Sequence, residues 1–438
     1  MKIHVIGVMA GVIGLFHAGQ VHGVYKDFSE LDRWSRTATD GYVGWAHGTP
    51  VTLTWSIIPD GTETNRSGQP KRQSDLISLM DEHFNVGTAD KGDLRDREWF
   101  KIFQLSFDRW EELTGLTFNY HANATHDKHG SGGPAGVLGV RADIRIGGTH
   151  YGDSGGPYAY NYYPDNGDMF INANHDSRWK VYDPSLPYIN SSNSTAFINT
   201  VQHEIGHGIG IRHAMSKDTL AVMEIYRPTN FFGPQMDDIF MAQRLYGDVL
   251  EKNGGNDSLD QATDVGLLTD GVVWSIGTDG LRGKSDLLYK EDIDFVSIDD
   301  DSDRDFYRFS VEGESMLNIA LTPAGFEYSR AIRSDTKPEY VIDMQTMSDL
   351  SFDLFDEQGV LLEHIDAMAR GGVETMFGYE LSDGGDYYVR INGADDEIQF
   401  YSLSMSAVEI PEPSVWGLMG LCVLHGVRRR RRSTIDMN

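Results

Sequence analysis

One stretch constrains this 438-residue chain more than any other: His203-Glu204-Ile205-Gly206-His207-Gly208-Ile209-Gly210-Ile211-Arg212-His213. Two histidines four apart fall on one face of a helix, where both imidazoles can reach a single metal ion. Glu204 projects toward the same pocket without having to bind the metal. Gly210 allows the helix to stop, so that His213 can turn back as a third ligand. Three neutral nitrogen ligands leave an open position for water, which is the layout of a catalytic rather than a structural zinc. Expected metal ligands are therefore His203, His207 and His213, with Glu204 as the catalytic base.

The two ends of the chain carry a different kind of information. Lys2, the apolar run from Ile3 to Phe16 and the small-residue stretch Val21-His22-Gly23 predict a secretory signal over residues 1–23. At the other end, Pro411-Glu412-Pro413 precedes a short apolar run and the five arginines Arg428 to Arg432. This order resembles the PEP-CTERM sorting tail of bacterial exported proteins. The resemblance implies an exosortase-type machinery as partner and only a transient membrane contact through residues 411–438. Both ends predict a secreted or cell-envelope location. The formal net charge of −29 argues against a nucleic-acid partner, since a phosphate backbone needs a basic face. Cys422, the only cysteine, lies inside the tail, so the body of the protein must be held by packing and bound metal instead of disulfides.

Between the ends, hydrophobic alternation and helical spacing mark the elements. Val51, Leu53, Trp55 and Ile57 alternate with Thr52, Thr54 and Ser56, as in a half-buried strand closed by the turn Pro59-Asp60-Gly61. A short helix is expected near Asp75 to His83. Phe100, Phe103, Phe107, Trp110 and Leu113 recur at helical spacing and predict a long core helix stopped by Gly115. Leu116 to Tyr120 and Ala142 to Gly147 predict two further strands. The Gly- and His-rich segment 121–140 reads as a mobile surface loop. Ser194 is placed to cap the helix of the metal motif, with Phe197, Ile198, Val201 and Ile205 as its buried face. A last helix is expected from Asp237 to Tyr246, ended by Gly247.

The extended histidine motif, together with Met223 a short distance downstream, resembles the metzincin signature. The wider run from Trp45 to Asp248 resembles bacterial relatives of the matrixins, through Leu53-Thr54-Trp55, Ala142-Asp143-Ile144-Arg145-Ile146-Gly147 and Gly155-Gly156-Pro157-Tyr158-Ala159-Tyr160. The resemblance implies a zincin-like α+β catalytic domain over 24–248, with Met223 as the Met-turn beneath the metal. It also implies an edge strand around Tyr158, Ala159 and Tyr160 that binds an extended peptide. The family's structural zinc does not carry over, since Tyr160 and Phe170 stand where histidines are expected. Glu224 and Ile225 replace a common Tyr-Pro, which puts any role for Tyr226 in doubt. The cysteine that commonly silences matrixins has no counterpart in the body of this chain. Asp168, Asn172 and Asn174 are candidate calcium ligands, a polar loop being the other reading.

Residues 249–260 are rich in Gly, Asn and Asp and read as a linker. Beyond it, over 261–410, short alternating runs such as Tyr307/Phe309/Val311, Leu317/Ile319/Leu321 and Tyr387/Val389/Ile391 predict an all-β sandwich. Asp305-Phe306-Tyr307-Arg308-Phe309 and Gly385-Asp386-Tyr387-Tyr388-Val389 resemble the pre-peptidase C-terminal domain found beside secreted proteases. The acidic run Asp299-Asp300-Asp301-Ser302-Asp303 fails as an EF-hand, because Arg304 replaces the turn glycine. It reads either as a solvated loop or as a calcium site of another kind.

The expected function is zinc-dependent hydrolysis of peptide bonds in protein or peptide substrates. Two other readings remain open: an envelope adhesion protein with the metzincin half as scaffold, and a zinc hydrolase of a non-peptide bond.

Overall fold

The computed structural model describes residues 32–66, 69–87, 92–122, 125–151, 156–179, 194–214, 216, 220–225, 231–331 and 339–410. The expected signal at 1–23, the sorting tail at 411–438 and Tyr226 lie outside them. Among the described residues no helix is long and apolar enough to cross a membrane.

The first half is α+β. Strands β1 (Val51–Ile57), β2 (Leu116–Tyr120), β3 (Ile144–Thr149), β4 (Ala159–Asn161) and β5 (Met169–Asn172) form one sheet in the order β2-β1-β3-β5-β4. All neighbours are parallel except β4, which runs antiparallel to β5 at the edge. Helix α1 (Leu76–His83), helix α2 (Phe100–Leu113) and the metal-motif helix α3 (Ser194–Gly208) accompany it, and α4 (Met236–Tyr246) closes this half. The aromatic spacing of α2 is used for packing: Trp55 of β1 stacks on Phe100 at 5.2 Å and on Phe107 at 4.5 Å. Such pairs fix the helix on the sheet beyond what burial alone would do.

Two expectations change here. Strand β1 is buried on both faces, not one, because Asp143 accepts hydrogen bonds from the Thr54 amide (2.9 Å), the Thr54 hydroxyl (2.8 Å) and the Ala38 amide (2.7 Å). A polar face covered by hydrogen-bonding partners looks the same in sequence as one covered by water. The supposed surface loop 121–140 is likewise anchored: His129 is fully buried and donates from Nε2 to the Arg145 carbonyl at 2.8 Å. Its neighbour Gly130 pairs with Asn65 in a small three-stranded sheet.

The second half is a sandwich of two five-stranded layers. It contains β6 (Thr263–Leu267), β7 (Trp274–Ile276), β8 (Val296–Ile298), β9 (Arg304–Val311), β10 (Ser315–Pro323), β11 (Glu327–Ala331), β12 (Glu339–Asp343), β13 (Leu350–Asp356), β14 (Leu361–Ile365), β15 (Glu374–Leu381), β16 (Gly385–Gly393) and β17 (Gln399–Glu409). One sheet runs β6-β9-β16-β13-β14. The other runs β7-β17-β10-β15 with β8 also on β17, and β11 and β12 form a separate hairpin. Inward residues such as Phe309, Ile319, Phe352, Val389 and Leu403 fill the space between the sheets.

The halves are joined by a shared core. All eleven residues of α4 are buried, and its apolar cluster continues into Leu288, Phe295, Tyr328 and Phe400 of the second half. Phe240 meets Phe400 edge-on at 5.1 Å. Arg109, buried in α2, donates to the carbonyls of Tyr289, Lys290 and Asp292 at 3.0–3.1 Å. The stretch expected as a linker is a packed joint: Asp248 accepts from the amides of Leu250 (2.7 Å) and Ser297 (2.9 Å), and Glu251 is buried. Its polar composition serves hydrogen bonds to backbone, which is why it read as solvated.

Candidate metal centre

Helix α3 carries His203 and His207 one turn apart; the expected Phe197, Ile198, Val201 and Ile205 are buried, and so is the rest of the helix from 195 to 208, which is covered on all sides. The Trp110 indole donates to the Gln202 carbonyl at 3.0 Å and ties α3 to α2. The helix stops where glycine was expected to stop it. Gly210 has φ +105°, and a Cβ there would lie 1.6 Å from the Asp32 carbonyl oxygen. The orphaned carbonyls at this helix end are satisfied by side chains: Trp34 Nε1 donates to Gly208 and the Tyr246 hydroxyl to Ile209, both at 2.8 Å.

Beyond Gly210 the chain returns His213 to the other two histidines. One ligand atom from each of the three lies within 4.8 Å of the others, and the Nε2 atoms of His207 and His213 are 3.2 Å apart. Tetrahedral zinc with bonds of 2.0–2.1 Å places its ligand nitrogens about 3.3 Å apart. The donor set fits zinc on that measure. The tautomers fit as well. His203 Nδ1 donates to the Val222 carbonyl (2.7 Å) and His207 Nδ1 to the Ile211 carbonyl (2.8 Å), which leaves each Nε2 as the lone-pair nitrogen. Burial, then the neighbouring histidines, holds His207 well below the usual imidazole range, and burial lowers His213. All of this favours the neutral form that a metal needs. His203, Glu204 and His207 are buried while His213 is exposed, so the site is open on one side.

Met223 lies beneath this group. It is fully buried, and a Cβ on Gly206 would come 2.2 Å from its sulfur, so the thioether rests on the turn between the two helical histidines. The Ala214 amide donates to the Met223 carbonyl at 2.9 Å, pinning the turn to the residue that follows His213. Glu224 accepts from the Ser216 amide at 2.7 Å and so braces the same loop.

One contributor was missed by sequence reasoning. Asp238, on the first turn of α4, accepts from the amides of Val222 (2.6 Å), Met223 (3.1 Å) and Gln235 (2.8 Å). It clasps the Met-turn to α4 and completes a capping box with Gln235. Burial pushes its carboxyl up to about 8 despite these three donors. The signal was the pair Asp237-Asp238 opening a helix, which reads as ordinary helix-start chemistry.

The edge strand is present but short. Tyr158, Ala159 and Tyr160 lie at or just before β4, whose outer side is unpaired within the sheet. The Tyr158 ring points to His175 (4.2 Å) and Arg178, while Tyr160 joins Tyr162 and Phe170 in an aromatic group under Arg66. What faces the metal group from this side is Tyr163, 5.6 Å from the His207 ring.

The calcium candidates Asp168, Asn172 and Asn174 are engaged by groups of the protein itself. Both Asp168 oxygens are held by a fork from Arg145 (2.6 and 2.8 Å) and the Gly130 amide (2.5 Å). Asn172 Oδ1 accepts from the Asn174 amide at 3.1 Å, its Nδ2 donates to the Pro157 carbonyl at 2.9 Å, and Asn174 Nδ2 donates to the Tyr151 carbonyl. These oxygens and amides hold β5 and its following turn in place.

Residues 83–247 match the family model described as Matrixin, Peptidase_M10, which supports a metzincin-type metalloprotease for this segment. No curated protein matches the chain. Among solved structures the chain is similar to the pre-peptidase C-terminal domain of collagenase from Bacillus anthracis, at 17% identity over 33% of this chain and 94% of that one. The TM-score is 0.18, a level at which the likeness carries no argument.

Proposed function

We propose that the chain is an exported, zinc-dependent endopeptidase. The observation that carries this reading is the convergence of His203, His207 and His213 beside Glu204, in a site open on one side and within the segment that matches the matrixin family. Zinc held by the three Nε2 atoms would supply Lewis acidity to the scissile carbonyl and acidify water. Glu204 takes the proton from the attacking water and delivers it to the leaving nitrogen. The open side of β4 offers backbone donors and acceptors to an extended substrate, a mode tolerant of side-chain sequence. The reading of residues 1–23 and 411–438 supports export. Replacing Glu204 by Gln keeps the donor set and removes the base, so metal content is retained while casein cleavage falls by about 100-fold or more. Casein cleavage by this variant at the wild-type rate would refute the assignment. Zinc binding without cleavage of any peptide library would point to a non-peptide substrate.

We further propose calcium as a second cation, at the joint between the halves. One carboxylate oxygen from each of Glu251, Asp257 and Asp303 lies within 4.8 Å of the others. This is the acidic run in a new light, since Asp299, Asp303 and Asp305 are buried. Buried oxygens of Glu251, Asp303 and Asp305 have no hydrogen-bond partner. Burial, then neighbouring carboxylates, pushes Glu251 and Asp303 far above the ordinary carboxyl range. Hard oxygen donors with unmet charge suit calcium. Calcium titration by calorimetry, with and without Asp303→Asn, tests the site.

A further inference from the structure

The β-sandwich reaches the first turn of α4, the same turn whose Asp238 clasps the Met-turn. Tyr328 of β11 is buried, and its hydroxyl donates to the carboxylate of Asp237, which is buried as well. Two residues earlier, Gln235 is held by Leu288 of the second half, whose amide donates to Gln235 Oε1 at 2.9 Å. Gln235 is the N-cap residue, and its own amide donates to Asp238. The onward path runs from Asp238 to the Val222 amide at 2.6 Å, and from the Val222 carbonyl to His203 Nδ1 at 2.7 Å. The hydrogen bonds join buried groups and are linked through the backbone of Asp237-Asp238 and of Val222, so little slack is available to absorb a shift.

We propose that Tyr328 is a positioning residue for the metal centre, through which the sandwich sets the orientation of the first histidine ligand. The inference rests on the metal-binding reading of His203, His207 and His213. Tyr328 touches neither metal nor substrate and acts through Asp237, the α4 terminus, Asp238 and Val222. Without its hydroxyl, the Asp237 carboxylate loses a buried donor and the α4 terminus shifts to find another. Asp238 then no longer holds the Val222 peptide in the orientation that aims His203. The second half of the chain is thereby part of the metal centre's framework, not an independent module beside it.

The test uses the full chain with Tyr328→Phe, which keeps the ring in its core position. Tyr387→Phe serves as the control; that hydroxyl donates to the Asp383 carbonyl at 2.9 Å on another part of the sandwich. Zinc affinity is measured by chelator competition, the ligand geometry by the visible absorption of the cobalt(II)-loaded protein, and kcat and KM on a casein-derived peptide. Losing a group bonded directly to a metal ligand weakens metal binding 10–100-fold, so a partner further out should cost about 3- to 10-fold. The expected result is that weakening, a displaced cobalt band and a lower kcat at unchanged KM, with Tyr387→Phe matching wild type. Should Tyr328→Phe fail to fold, Asp237→Asn reads the same path with a smaller effect in the same direction. A purely structural role would lower the melting temperature while leaving zinc affinity, cobalt spectrum and kcat where they were, and that outcome overturns the proposal. Failure of the wild type to bind zinc would instead overturn the metal-binding reading.

Discussion

Replacing Asp303 by Asn should make the protein more stable without calcium and less stable with it. The Glu251 and Asp303 oxygens lie no more than 4.8 Å apart, and both residues are only 7% exposed. Two unit charges at that separation would repel by about 3.5 kcal/mol at an effective dielectric near 20, so the folded pair keeps protons that the unfolded chain has lost, and the cost appears as proton uptake on folding. Taking ~2–3 kcal/mol as the relief on removing one of these titrating groups, and 2–4 °C per kcal/mol for large domains, the variant should melt about 5–10 °C higher in calcium-free buffer at pH 8. The sign in pH follows from the direction of the shifts. Carboxyls raised above their unfolded values contribute stability that is intact below about pH 4 and is lost as pH climbs toward the folded values. The gap between variant and wild type should therefore vanish at pH 4 and widen upward. Calcium at 1,000 times its dissociation constant would return about 4.1 kcal/mol to the wild type and little to a variant that has lost a ligand, inverting their order. Thermal unfolding followed by circular dichroism, with zinc held constant, reads all three comparisons. A variant that melts below wild type in calcium-free buffer at pH 8, or an order that calcium leaves unchanged, refutes the reasoning.

Three further outcomes are expected. Gly210→Ala places a Cβ 1.6 Å from the Asp32 carbonyl at a φ of +105°; it should cost about 2–4 kcal/mol and release the Trp34 cap, read as a lower melting temperature together with weaker zinc binding. Asp168→Asn leaves the Arg145 guanidinium buried without its counter-charge and should destabilise by about 3–5 kcal/mol; added calcium should make no difference to that loss. A chain ended at residue 248 exposes Phe240 and the rest of the outer face of α4, each large apolar side chain being worth about 1.5–3 kcal/mol. It should be recovered insoluble, and a soluble, monomeric, zinc-loaded product would contradict the shared core.

The parts of this molecule that were legible in the sequence are those where one residue type has one use. The histidine spacing, Gly210 and the aromatic period of α2 admit few alternatives, and they stand in the structure where the pattern put them. Polar residues were read poorly, because water, a metal and a buried partner leave the same trace in composition. In sequence Asp168 suits a cation or a polar loop equally, and in the structure it binds Arg145; the acidic run around Asp303 suits a solvated loop, and Asp303 is buried among carboxylates. His129 went into a supposed loop because glycine neighbours signal turns, and nothing local announces the Arg145 carbonyl that holds it. Asp238 escaped because its partners, the Val222 and Met223 amides, lie 15 or more residues upstream and carry no side-chain signature.

The buried joint has a bearing on survival. A protein proposed to cut polypeptides is its own nearest substrate, and in two-domain enzymes the connecting strand is the natural place for self-digestion. Cleavage needs several residues of backbone drawn out into an extended form. Here the connection is tied down by Asp248 and Glu251 and by the Lys252 amine, which donates to the Glu111 carbonyl at 2.5 Å. To offer that segment to another copy, the molecule would first have to separate α4 from the sandwich and give up the core that both halves share. Autolysis at the joint is thus gated by opening of the shared core, and its rate follows how often that core opens.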